Sequence, residues 1–375
     1  MRLLFYYSSI SNGSAPTGTC WEKSEACSQH PLMVNFHTEG LAWMLEKMAE
    51  EKIVDEYVVI LESAKSPGKG KFKNGMPFYT VPHIDDSLSL WREDDVVWAR
   101  GGFRSWPPVL ERANREKKWL LFYRAATHRL KWVFWDVILD DLSDVHYQDA
   151  GGRFVYAFNK PVRPEYFKLN NRAVVCFDVI LNASHIHDRK GQFKGIQAAI
   201  EYKKLFNQDL RVLLPGGFYH GENTNKIHGW ISRERLIVEL PGMVPRPQLA
   251  ELMNQCKLYV HLGGGGQNDR GALEAMRCGL PVMVARKEFF PSFVTSHPQF
   301  STVLDCHENP IEVAKAIHQK LSEYQPSWKP QVSAYYEQCN GDEVVLENMR
   351  QLFSFIRSHP KADRPAIINH FTETS

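Results

Sequence analysis

The stretch HLGGGGQNDRGALEAMRCGLPVMVAR, residues 261–286, constrains the fold more than any other part of the chain. It reads as a strand end, a loop holding four consecutive glycines (Gly263 to Gly266), a short helix and a second strand. Glycines let a bulky group approach the backbone, and a helix opening near Arg270 or Gly271 turns its first N–H groups toward that group. An anion suits such a place. Glu274 stands one turn into the helix, where a carboxylate suits hydroxyl groups better than phosphate. A nucleotide sugar carries phosphate and ribose hydroxyls side by side. The competing reading is a plain flexible turn with Glu274 in solvent.

A strand–loop–helix–strand unit belongs to α/β architecture, and 375 residues are too many for one comfortable core, so two domains are expected. Apolar residues at 43% and charged residues at 23% describe a globular chain, and no apolar run approaches the ~20 residues that cross a bilayer. The opening RLLFYY is read as a first strand rather than a leader, which implies a cytoplasmic protein without an integral membrane segment. Cys20, Cys27, Cys176, Cys256, Cys278, Cys306 and Cys339 form no C-x-x-C pair, so no disulfide framework and no metal site is expected, and the thiols are read as buried. A net charge of +2 gives no bulk case for nucleic-acid binding.

The N-terminal half alternates strand and helix. After the first strand comes a long polar loop whose Thr17 and Gly18 are candidate ligand contacts, then a helix over about 34–51 and the strand EYVVILE. SPGKGKFKNG reads as a solvated loop, DDVVWARGG as a strand, VLERANREKK as a helix and WLLFYRAA as a strand. His128 lies just past that last strand, on the side of an open α/β sheet where ligands bind, and is a candidate catalytic residue. KWVFWDVILDDL is read as an amphipathic helix with Trp132, Phe134 and Trp135 in the core. Two short strands follow, DVHYQD and RFVYAF. The proline-bearing KPVRPEYFKLNNRA then marks the boundary, giving domains over 1–165 and 172–340 and a terminal helix and tail over 341–375.

The second half restarts with the strand AVVCFDVILNAS and a helix from about Ile196 to Leu205. Arg189, Lys190 and Lys194 gather at the start of that helix, where cations oppose the macrodipole. Helix physics does not explain three of them; a bound diphosphate does, the competing reading being a solvated basic turn whose long side chains keep their heads in water. Strands LRVLLPGG and LIVELPGMV, the helix PRPQLAELMNQC and the strand KLYVHL lead to the glycine loop. Beyond it the pattern gives the strand STVLD, the helix PIEVAKAIHQKLSEY, a polar proline-bearing link and a final helix, about Glu343 to Arg357.

RGALEAMRCGLPVMVA resembles the donor-binding signature of the retaining nucleotide-sugar glycosyltransferases of the glycogen-synthase and sucrose-synthase type, G-x-x-x-LEAMA-x-G-x-PV. DRKGQFKG, LRVLLPGG and LPGMVPRPQLAELMNQCKLYVHL agree with that family in order, and the likeness is strong over about 174–286. The resemblance implies a GT-B fold, α/β, with two Rossmann-like domains facing each other across a cleft. It implies a hexosyltransferase using a nucleoside-diphosphate sugar, a UDP-sugar ahead of a GDP- or ADP-sugar, with retention and without metal. Carried onto this sequence, Glu274 holds the ribose hydroxyls, and Gly271 and Ala272, beside Arg270, supply the N–H groups. Arg189 and Lys194 neutralise the diphosphate, Met243 flanks the base, and His128 stands near the transferred sugar.

The family's second glutamate, eight residues before the ribose-binding one, is Gly266 here, and Gln267 or Asp269 in the same loop is the available substitute. That departure bears on the sugar and on stereochemistry. An inverting enzyme would need a general base, for which His128, Asp85 and Asp86 are candidates. The acceptor is a glycan, a small molecule or, in an alternative reading, a hydroxymethylated DNA base; a third reading is a nucleotide-sugar-binding protein without catalysis.

Overall fold

A computed structural model describes residues 1–7, 40–62, 68–72, 74–100, 107–123, 135–141, 143–148, 153–182, 186, 190–218, 221–263 and 270–359. The chain divides into two compact units. The first holds residues 1–159 together with the chain from Val345 onward, and the second runs from Lys160 to Val344. By that division the chain changes unit at Asn159 and Lys160, and the terminal helix from Val345 is grouped with the first unit; residues 360–375 lie outside the described residues.

In the first unit the described strands are β1 (Arg2–Tyr7), β2 (Glu56–Glu62), β3 (Gly68–Lys71), β4 (Pro77–Val81), β5 (Asp95–Arg100), β6 (Leu120–Tyr123), β7 (Val137–Asp140), β8 (Tyr147–Gln148) and β9 (Phe154–Ala157). They form one sheet in the order β3-β4-β2-β1-β5-β6-β7-β9-β8, parallel except where β3 and β8 pair antiparallel at the two edges. β1 is buried along its whole length, as a central parallel strand covered on both faces must be. Helix α1 (Gly40–Glu50) covers one face with Leu41, Met44, Leu45 and Met48, and α2 (Pro107–Arg115) covers the other with Val109 and Leu110.

In the second unit, β10 (Phe177–Leu181), β11 (Val212–Pro215), β12 (Val238–Gly242), β13 (Cys256–His261), β14 (Val282–Ala285) and β15 (Ser301–Leu304) lie in the order β12-β11-β10-β13-β14-β15, all parallel. The helices are α3 (Gln192–Phe206), α4 (Gly221–Glu234), α5 (Arg246–Asn254), α6 (Arg270–Arg277), the single turn α7 (Ser292–Thr295), α8 (Pro310–Glu323) and α9 (Trp328–Asn340). Counted from its own first strand, this sheet runs 3-2-1-4-5-6, the doubly wound order. The all-parallel pairing explains why VLLP, VMVA and FDVIL are continuous apolar or nearly apolar runs without alternation.

The last helix, α10 (Asp342–Ser358), crosses back. Val345, Leu346, Met349, Leu352, Phe353 and Ile356 recur at helical spacing and are buried in the same cluster as Leu41, Met44 and Met48 of α1. The Tyr156 hydroxyl donates to the Asn348 carbonyl at 2.8 Å, fixing the helix on the first unit's sheet.

Several elements differ from the sequence reading. The lysine-rich interval contains an edge strand, β3, whose Lys69 and Lys71 guard an edge that would otherwise invite pairing. VILD, read as part of an amphipathic helix, is the buried strand β7; all four residues are covered, which no two-faced helix would require. Trp135 is core as expected, while Trp132 and Phe134 lie outside the described residues. Helices α4 and α9 were absent from the reading. Helix α4 fully buries only Ile227, and its stripe of Ile227, Trp230 and Ile231 is short and set among polar residues. Helix α9 carries Trp328, Val332 and Tyr336 at four-residue spacing, a stripe masked by Pro330 and the polar residues between. Cys256 and Cys278 are buried thiols, whereas Cys176 and Cys306 are exposed.

Candidate functional site

In a doubly wound sheet the two strands at which the order reverses send their following loops to opposite faces, leaving a crevice at their carboxyl ends. In the second unit these are β10 and β13, which pair directly with Leu181 opposite Val260. The chain leaving β10 leads to the basic turn and α3; the chain leaving β13 enters the glycine loop and α6. The two segments singled out by sequence thus flank one switch point.

They touch there. Gly191 caps α3 in the left-handed region, at φ 78°, and an added Cβ would lie 2.3 Å from the Leu262 carbonyl carbon and 2.4 Å from the Gly263 nitrogen. Glycine is required both for that dihedral and for that backbone approach. Beneath the contact, Gln192 donates to the Asn182 carbonyl at 3.2 Å, and the Tyr259 hydroxyl donates to the Asn182 side chain at 3.3 Å. These bonds tie the exit of β10, the start of α3 and the middle of β13 together.

Lys194 sits in the first turn of α3. Its ammonium is ion-paired with Glu308, which also meets His307 Nε2 at 3.1 Å. The Lys194 hydrogen bond holds the Glu308 carboxyl below the usual range. Arg286, at φ 63° just past β14, pairs with Glu288 at 3.1 Å. Lys194, Arg286 and Glu308 therefore stand past the carboxyl ends of β10, β14 and β15, and the charge on Lys194 is already matched by an exposed carboxylate.

Glu274 is in α6, with a side chain 3% exposed. Arg246, the first residue of α5, brings one guanidinium nitrogen to both of its carboxylate oxygens, at 2.8 and 3.1 Å. The loop between β12 and α5 also carries half-buried Met243, next to Gly242 at φ 71°. Ion pairing thus joins the Met243 loop to the α6 carboxylate. Gly271 and Ala272 are buried in the first turn of α6, and Arg270 is half-buried at its start.

Met243, Lys194, Arg270, Gly271, Ala272 and Glu274 consequently lie on loops or helix starts that follow the carboxyl ends of this sheet's strands. Arg189, Gly266, Gln267, Asp269, His128, Thr17 and Gly18 lie outside the described residues. Asp85 and Asp86 open a 3-10 helix after β4, where Asp86 accepts the His83 N–H at 3.1 Å and serves as a cap. Two residues were missed by sequence. Arg246 carried the same signal as Lys194, a cation at a helix N-terminus; Glu308, in a turn before α8, carried none.

Residues 173–333 match the family model for glycosyl transferases group 1. No curated relative matches the chain by sequence. Among solved structures, trehalose-6-phosphate synthase OtsA superimposes with a TM-score of 0.66 at 9% identity, over 96% of this chain and 99% of that one. HepE of Anabaena, in complex with UDP and glucose, gives 0.63 at 14% identity, over 95% and 100%. The pneumococcal O-GlcNAc transferase GtfA, in complex with UDP and GlcNAc, gives 0.58 at 14% identity over 77% of this chain, which spans only 62% of that protein. No helix among the described residues is long and apolar enough to cross a membrane.

Proposed function

We propose a donor, a reaction and a set of roles for this chain, a glycosyltransferase of the GT-B fold whose residues 173–333 belong to the glycosyl transferases group 1 family. The donor is a nucleoside-diphosphate hexose, with UDP the nucleotide, and the acceptor is a hydroxyl group. The observation that carries this reading is the meeting of the α3 start with the first peptide of the glycine loop at the β10/β13 switch point, with Glu274 on the helix α6 that follows that loop. UDP in the complexes of HepE and GtfA agrees with it.

In the proposed reaction the bond between the anomeric carbon and the diphosphate oxygen breaks, and the leaving diphosphate keeps both electrons. The acceptor oxygen forms the new bond, and its proton passes to the departing diphosphate. Lys194, with Arg189 as the family resemblance implies, neutralises the charge that grows on the leaving group, so fixed cations serve where other enzymes use a metal ion. Glu274 accepts hydrogen bonds from the ribose hydroxyls, and Met243 flanks the base. Transfer proceeds with retention at the anomeric carbon.

A thermal-shift series with UDP, GDP, ADP and their hexose conjugates tests the donor, because a ligand that binds only the folded state raises the melting temperature. UDP and a UDP-hexose are expected to give the largest shifts. Absence of a shift with all of them would remove the donor site. Anomeric proton couplings of the transfer product read the stereochemistry, and inversion would reassign the mechanism.

A further inference from the structure

The proposed function gives Glu274 a ligand but leaves Arg246 without a task, and resting on that reading we infer that Arg246 is a positioning residue that makes the donor site select ribonucleotides over deoxyribonucleotides. Its placement is costly unless something repays it. Arg246 is the first residue of α5, where a cation opposes the helix dipole. Glu274 is almost fully buried on a helix packed into the core, where a carboxylate without a counter-charge is strongly disfavoured. Arg246, a third exposed, reaches inward and resolves both problems with one contact.

The geometry of that contact sets its consequence. A single guanidinium nitrogen bridges the two carboxylate oxygens at 2.8 and 3.1 Å, which fixes the rotation of the carboxylate plane. An ionised carboxylate offers about four lone-pair positions, and one nitrogen of Arg246 meeting each oxygen once does not by itself exhaust them. Arg246 therefore acts through Glu274, keeping it ionised and aimed at the diol, and need not touch the nucleotide. Because Arg246 lies three residues after Met243, the base-flanking loop and the ribose clamp are held by the same ion pair.

Calorimetric affinities for UDP, 2′-deoxy-UDP and uridine, with the GDP and ADP pairs run alongside, test this on the full chain. Hydrogen bonds to a charged acceptor correspond to on the order of 10-fold or more per bond, so wild type is expected to prefer UDP over 2′-deoxy-UDP by about that factor. In Arg246→Ala the preference is expected to collapse to about 2-fold or less, on the same scale, with UDP and uridine weakened in parallel. Arg246→Lys, which keeps the charge but not the planar fork, should restore part of the preference.

Equal weakening of UDP and 2′-deoxy-UDP with the preference intact, or weakening of UDP but not uridine, would mean a direct phosphate contact and would overturn the inference. So would an unchanged Arg246→Ala. Should Arg246→Ala fail to fold, Glu274→Gln and the double variant Arg246→Ala/Glu274→Gln decide: both should lack the ribose preference to the same extent, and a further loss in the double variant would overturn the inference. Failure of wild type to bind any nucleotide would instead sink the donor reading on which the inference stands.

Discussion

Helix α6 is gripped by two arginines, and the difference between them separates what builds this unit from what works in it. Arg277, on the helix itself, is 6% exposed in its side chain; it donates to the Val162 carbonyl at 2.7 Å, pairs with Asp342 at 2.8 Å and Glu337 at 3.1 Å, and stacks on the Tyr336 ring. Burial works against its charge, but the Asp342 hydrogen bond and the surrounding negative charge outweigh that and hold the guanidinium above its ordinary value. Arg246 reaches the same helix at Glu274, one turn before Arg277, through one nitrogen and remains a third exposed. Arg277 is itself the buried partner, tied to a backbone carbonyl and to two partly exposed carboxylates, and such a contact stabilises an arrangement. A contact with a solvent-facing side can accept a newcomer. The Lys194–Glu308 pair is of the second kind, with Glu308 72% exposed.

The sharpest way to break that distinction is Arg277→Met. It strands Asp342, Glu337 and the Val162 carbonyl around an apolar side chain, and urea unfolding is expected to show a loss of about 3 to 5 kcal/mol. A loss below ~1 kcal/mol would erase the contrast with the solvent-facing pairs. Lys194→Ala should do the reverse. Its turnover with donor and acceptor is expected to fall on the order of 100-fold while the unfolding midpoint barely moves, since a partly exposed ion pair contributes little. A destabilisation matching that of Arg277→Met would place Lys194 among the structural contacts.

A third test uses acid. At the amino end of β10, burial alone would raise the Asp178 carboxyl, yet hydrogen bonds from Arg211 and Lys257, at 3.1 and 2.8 Å, hold it below the ordinary carboxylate range. A depressed folded-state pKa means that this stabilisation is present above the unfolded value of about 4 and disappears as pH falls through the folded value. Asp178→Asn should therefore flatten the fall in stability below about pH 4, and an unchanged acid profile would count against the ion cluster. The smallest expected effect is that of Glu308→Gln, which releases Lys194 and should tighten nucleoside-diphosphate binding by at most about 5-fold. Weaker binding would show that Glu308 positions the lysine rather than competing for it.

Sequence reading reached furthest where backbone demands were severe. The helix from Arg270 was legible from its pattern, and Gly191, at φ 78° before α3, is a position that few residue types satisfy. The parallel strands were legible as apolar runs, except β7, whose flanking tryptophan and phenylalanine imitate a helical period. Helices α4 and α9 escaped because their apolar stripes, Ile227, Trp230 and Ile231 in one and Trp328, Val332 and Tyr336 in the other, are short and set among polar residues, with Pro330 interrupting the second. Glu274 was picked out as a clamp from its distance to the helix start, but its partner was not, since Arg246 is 28 residues away and only folding brings them together. Arg277 was likewise passed over, although it replaces the alanine of the LEAMA pattern, because nothing local shows that Val162 and Asp342 converge on it.

The return of α10 to the first unit sets an order on the making of this protein. Residues 160–344 are contiguous and can complete their own core as soon as they leave the ribosome. The first unit, although its strands are synthesised earlier, keeps the Leu41, Met44 and Met48 surface uncovered until Val345, Met349 and Phe353 arrive. The unit made first is finished last, so a nascent chain interrupted between the two events carries an open apolar face, and chaperone capture is expected to concentrate on that face rather than on the second unit.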